Sequence, residues 1–185
     1  MTAQIPDEFI YNGDSFSLVG LKGKGLYTPE DFGIHPTFKT TACYRGYAMR
    51  YNFINEELIL ERMRVNTRNP PKINGIAPQT GEEIGTRLFD YCYSNLNLKT
   101  EFTGKVLLAK DFIQQMYVHM GFQRPISFKT VIEIEVENGD IKSIRDLSKK
   151  MEEYRNRDSS KDAKPSSFAL KDVEKWIRKS FSLDY

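Results

Sequence analysis

Apolar and polar positions alternate with a period of two through much of residues 8–147, the spacing of strands that bury one face. EFIYNGDSFSLVG (8–20) reads as two short strands about Asn12-Gly13-Asp14, since Asn-Gly supplies the two positive-φ positions of a tight hairpin turn. TACYRGYAMRYNFINEELILERMRV (41–65) reads as a longer hairpin with its turn at Asn55-Glu56-Glu57. Leu58, Leu60 and Met63 mark an inward face there, and the alternation slips at Glu61-Arg62, where a bulge is expected. Residues 67–85, rich in proline and glycine, read as a surface connection between two halves.

The second half resumes the alternation. Residues 95–112 read as strand, Gly104 turn, strand, and residues 128–147 as a hairpin about Asn138-Gly139. Between them the period changes. Ile113, Met116, Tyr117 and Met120 fall at i, i+3, i+4 and i+7, which predicts a short helix capped by Asp111, boxed by Gln114 and ended by Gly121. Thr28-Pro29-Glu30-Asp31-Phe32-Gly33 has the same grammar in miniature. A further helix is expected over 148–156, with Leu147, Met151 and Tyr154 on one side. Residues 157–167 are polar and read as a linker. Residues 168–185 read as an amphipathic helix, with Leu170, Val173, Ile177 and Phe181 in a stripe. The chain is therefore expected to be α+β: one domain over 1–156 built on an antiparallel β-barrel or sandwich, with short helices, a linker and a C-terminal helix.

Two blocks resemble each other. GKGLYTPEDF (23–32) and GKVLLAKDF (104–112) are each followed by a histidine, His35 or His119, then a proline, then a hairpin. This suggests two pseudo-repeated units; the other reading is chance recurrence of Gly-Lys and Asp-Phe.

Composition narrows the function classes. With 39% apolar and 28% charged residues in 185, the chain can bury a substantial core and lies far from disorder. A net charge of +2 gives no nucleic-acid footprint. No apolar run reaches the length of a membrane span. The N-terminus has no basic segment leading an apolar one, so no secretory leader is expected and the protein is placed in the cytoplasm.

Candidate chemistry is sparse. No motif names a cofactor or a metal, and neither is expected; GLKGKGLY (20–27) matches no phosphate-binding pattern and reads as a flexible loop. His119 in the last turn of its helix is suited to the C-terminal dipole. The sharper alternative is a site made by His119, His35 and Cys43: enough ligands for a catalytic-type zinc, or a Cys43–His119 thiolate pair.

PPKINGIAP (70–78), FTGKVLLAKDF (102–112) and MYVHMGFQ (116–123) resemble segments of a family of bacterial proteins with no assigned activity, over most of residues 5–155. The resemblance implies a bacterial cytoplasmic protein and brings no catalytic residues. Two functions follow as expectations. The first is a non-enzymatic protein-interaction module, immunity- or inhibitor-like, with a protein partner or a homodimer formed through the C-terminal helix. The second is a small-molecule-binding or hydrolytic β-barrel with its site near His119.

Overall fold

The computed structural model describes residues 2–82, 85 and 87–157. Among them the strands are β1 (Glu8–Tyr11), β2 (Asp14–Lys24), β3 (Tyr47–Ile54), β4 (Glu57–Val65), β5 (Gln79–Thr80), β6 (Tyr91–Tyr93), β7 (Leu98–Lys99), β8 (Thr103–Phe112), β9 (Phe128–Glu137) and β10 (Asp140–Asp146). One helix, α1 (Ser148–Arg157), follows. The strands belong to one sheet in the order β10-β9-β8-β2-β1-β3-β4-β6-β5, with β7 also on β4. All pairings are antiparallel except β1 with β3. β10 meets β4 at a single pair, Asp140 with Glu57. The sheet-rich α+β class expected from the pattern is what forms, and no described helix is long and apolar enough to cross a membrane.

The hairpins close as their turn residues require. Asn12 and Gly13 sit at φ 51° and 80°, Asn138 and Gly139 at 52° and 85°. The β3–β4 turn falls on Asn55 and Glu56, both at positive φ. The slip at Glu61-Arg62 is a bulge: Arg50 lies opposite Arg62, yet Tyr51 lies opposite Leu60, which leaves Glu61 unpaired.

Strand alternation sorts the apolar residues onto two faces. Phe9, Leu18, Met49, Tyr51, Leu58, Leu60, Met63, Val106, Leu108 and Ile134 fill the inner face, most of them fully buried. Phe9 stacks on Tyr51 there at 4.9 Å. On the opposite face Val19, Leu107, Ala109 and Val131 are covered by Leu147 and Met151, with Tyr154 packed at the edge. The helix expected over 148–156 thus forms and docks by the stripe that the spacing marked.

Five expectations are corrected. Gly104 is no turn: β8 runs through it, directly opposite Gly23 of β2. The same pairing makes most of 20–27 strand, since β2 extends to Lys24. The helix expected from Asp111 does not form. β8 continues to Phe112, which pairs with Phe128 and packs on its ring at 5.2 Å, and only a 3-10 turn at Gln114–Met116 follows. Sheet pairing and that aromatic contact outweigh a helix with one narrow apolar stripe. Asp111, at φ 61°, instead accepts a hydrogen bond from the Thr130 hydroxyl at 2.6 Å. The two resembling blocks are consequently not structural equivalents: 104–112 is strand, whereas 23–32 leaves the sheet after Lys24 and makes a 3-10 turn. In that turn the Thr28 N–H donates to the Asp31 carboxylate at 2.6 Å, as its grammar predicted. Finally, the connection 67–85 is not wholly superficial, because Ile73 reaches the inner core and Pro71 accepts from the Tyr93 hydroxyl. The linker beyond Arg157 and the tail helix lie outside the described residues.

Glu8 gives the fold a pH dependence. Burial pushes its carboxyl up, but hydrogen bonds from Arg50 and Ser15, with the charges of Arg50 and Arg64, hold it below its ordinary 4.5. A carboxylate depressed in the folded state adds stability above its unfolded value, and that contribution is lost as pH falls through the folded value. Urea midpoints are therefore expected to drop on acidification below about 4.5, with a shallower acid-side slope in Glu8→Gln; equal slopes for the two proteins would contradict this.

Candidate functional site: loops at one end of the sheet

The loops of residues 34–46, 66–67, 87–90 and 116–123 are fastened together by a few buried polar groups. Asn66, fully buried just beyond β4, is the main one. Its backbone N–H donates to Gly46 at 2.8 Å, and its carbonyl accepts from Thr37 at 2.7 Å. Its side chain donates to the Leu88 carbonyl and accepts from the Asp90 N–H. Every polar atom of this asparagine is thus spent on holding two loops, the accounting that a buried amide demands.

A second fastener is Asp7 with Arg45. The guanidinium grips the carboxylate with two bonds of 3.0 and 2.6 Å, and Asp7 also accepts from the Met49 N–H. Arg45 additionally donates to the Tyr47 carbonyl and lies over the Tyr47 ring at 4.6 Å. Burial pushes the arginine's pKa down, but the charge and hydrogen bonds of Asp7 more than restore it, so the net shift is upward. The third fastener is the N-terminal segment. Gln4 N–H donates to Gly121, Ile5 N–H to Ala42, and the Gln4 amide bridges Thr41 and Tyr44. Residues 4 and 5 thereby stitch the 40–44 loop to the 116–123 loop.

What these anchored loops present is aromatic. Phe38 and Tyr44 are 59% and 51% exposed and stack on each other, centroids 5.3 Å apart and planes 22° from parallel. Tyr117 is exposed and stands edge-on to Phe112 and to the His119 ring, the latter at 4.8 Å. Leu88 is exposed on the neighbouring loop. Lys39 pairs with Asp90 at the rim of an open cleft of about 870 Å³, which Thr67, Arg87 and Tyr91 also line.

The three residues singled out from the sequence have different fates. Cys43 is buried, its thiol donating to the Tyr47 carbonyl at 3.2 Å and packed with Ala48 and Phe89. A thiol so enclosed presents no nucleophile to solvent. His35 is exposed, and its carbonyl accepts from the Thr67 hydroxyl. His119 is exposed on a loop that the Gln123 amide braces through Val118, not in a helix. Among the described residues no three of His, Cys, Asp and Glu stand where they could hold a metal, so these three make no ligand set. Sequence reasoning missed Asn66, the Asp7–Arg45 pair and the Phe38–Tyr44 stack. Only the last left a trace, as aromatics in a stretch without alternation. The chain matches no family model, no curated protein and no solved structure.

Proposed function

We propose that this protein is a non-enzymatic binding module of the immunity or inhibitor kind, and that it grips another protein with its anchored loop end. The observation that carries this is the Phe38–Tyr44 stack, two large rings more than half in water on a loop that backbone hydrogen bonds fasten at Thr37 and Tyr44. Rings in that position lose little conformational entropy on binding and supply the area from which hot spots are made. The inner face of the sheet supports the same reading, since it is filled by fully buried side chains where a small-molecule cavity would need space. In this reading the sheet curls into a nearly closed barrel, and the segment 168–185, whose sequence predicts an amphipathic helix, is a second contact, to the partner or to another copy.

The test compares wild type with Phe38→Ala/Tyr44→Ala in quantitative affinity capture from the source cell, followed by Kd measurement on the purified partner. Both rings are exposed, so folding stability should change by only about 0.5 kcal/mol. Loss of a hot spot worth about 2 kcal/mol or more should weaken binding roughly 30-fold. A partner captured equally by both proteins would remove the loop end from the interface. Native mass spectrometry of gently purified protein that shows a stoichiometric small molecule would instead favour the ligand-binding alternative.

A further inference from the structure

The sheet face opposite the inner core carries, on β3 and β4, a row of arginines. Arg50 lies directly across from Arg62, and Arg64 is two residues along β4 on the same face. Cross-strand partners stand about 5 Å apart at Cβ and i, i+2 neighbours about 7 Å, so the three guanidinium groups can reach one small volume. Glu8 of β1 lies across from Arg50, and the unpaired bulge residue Glu61 precedes Arg62. Glu8 is committed: it takes the Arg50 Nε–H at 2.6 Å and the Ser15 hydroxyl. Glu61 forms no ion pair within 4 Å among the described residues. Arg64 makes no ion pair within 4 Å there either, although its charge acts on Glu8, and its guanidinium lies over the Phe89 ring at 5.1 Å.

Arg62 is the odd member. Its Nε is buried and has no hydrogen-bond partner. A charged N–H removed from water and left without an acceptor is a rare arrangement in a folded protein, and an ion or ligand oxygen is one of its recurrent explanations. The stacked Arg64 beside it is held by an aromatic face instead of a carboxylate, which leaves its fork of N–H groups unspent.

We infer that the outer face of β3 and β4 is an oxyanion site, in which Arg62 and Arg64, with Arg50 at the margin, bind a phosphoryl group. Phosphate fits because its oxygens can take paired N–H donors from two guanidinium forks at once, whereas a single carboxylate is matched by one fork. The bulge at Glu61 contributes by bending β4 at Arg62, the kind of re-aiming for which bulges are used. The ligand is either the free anion or a phosphoryl group carried on a larger molecule. The site adjoins the loop end, since the Arg64 guanidinium lies over Phe89 of the 87–90 loop, but it uses neither Phe38 nor Tyr44 and is tested independently of them.

The test is a titration at constant ionic strength with inorganic phosphate, and in parallel with glycerol 3-phosphate, read from the arginine Nε–Hε signals in proton–nitrogen spectra. The expected result is a saturable shift of the Arg62 Nε–Hε signal. Saturation should weaken at least tenfold, read from the Arg64 signal in Arg62→Gln and from the Arg62 signal in Arg64→Gln, and stay unchanged in Lys22→Gln, an exposed charge on β2. Arg64→Gln keeps the test decisive should Arg62→Gln fail to fold. Tighter binding of glycerol 3-phosphate than of phosphate would assign the site to a carried group, and the reverse to the free anion. A shift that never saturates, or one that is identical in the arginine variants, would overturn the site.

Discussion

Gly104→Ala is expected to lower the unfolding free energy by roughly 3–5 kcal/mol, the sum of backbone strain and overpacking at one position. Gly104 sits at φ 152° in mid-strand, opposite Gly23 at φ 143°. A Cβ added to Gly104 would lie 2.6 Å from the Gly23 Cα and closer still to the Lys22 carbonyl. Those are backbone atoms of the facing strand, so no side chain can rotate aside. Relief requires parting β2 from β8, a ladder that continues from Lys24–Thr103 to Ser17–Ala109 and joins the two halves of the sheet. Gly75→Ala is the control, because Gly75 also has positive φ but open space around it; only the conformational cost, about 1 kcal/mol, should appear. Urea unfolding of the three proteins checks this. A Gly104→Ala protein within about 1 kcal/mol of wild type would mean that the two backbones are not in close approach.

The same glycine shows where sequence reasoning stops. Turn chemistry is local, so Asn12-Gly13 and Asn138-Gly139 announce their hairpins without knowledge of anything distant. The bulge at Glu61 is also local, because a slipped alternation is visible within one strand. The docking face of α1 follows from spacing alone. Gly104 looks equally like a turn, however, until its partner at Gly23 is known, and nothing near it in the chain identifies that partner. Asp111 fails for a related reason: its short stretch satisfies helix rules, but Phe112 gains more by pairing with Phe128 across the sheet. The loop end was the least legible part. Asn66 is an ordinary asparagine in sequence, and its role exists only once Gly46, Thr37, Leu88 and Asp90 converge on it. The parallel pairing of β1 with β3 likewise depends on a connection of irregular residues for which periodicity has no signal.

Asp7→Ala should be the most damaging change at the loop end, at about 3 kcal/mol, the low side of the cost of breaking a buried ion pair because Arg45 keeps 28% of its side chain in water. The carboxylate is 10% exposed and serves two partners, the Arg45 fork and the Met49 N–H. Removing it strands a guanidinium and leaves a buried N–H of β3 without its acceptor. Asp7→Asn keeps an acceptor for Met49 but loses the charge and one face of the fork, so it should cost less than Asp7→Ala. Adding Arg45→Ala to Asp7→Ala should then cost less than the two single changes together, since the second mutation removes the stranded charge. Strict additivity in that cycle would show that the pair is not coupled. The consequence reaches the proposed interface, because Arg45 belongs to the same loop as Phe38 and Tyr44. Hydrogen exchange should quicken in Asp7→Ala at residues 40–46, and partner affinity should fall although neither ring has been touched. Phe38→Ala/Tyr44→Ala should do the opposite, losing affinity with stability intact. Two variants that weaken binding by different routes separate the part of the loop end that makes contact from the part that holds it ready, and only a surface that depends on pre-ordered loops yields both results.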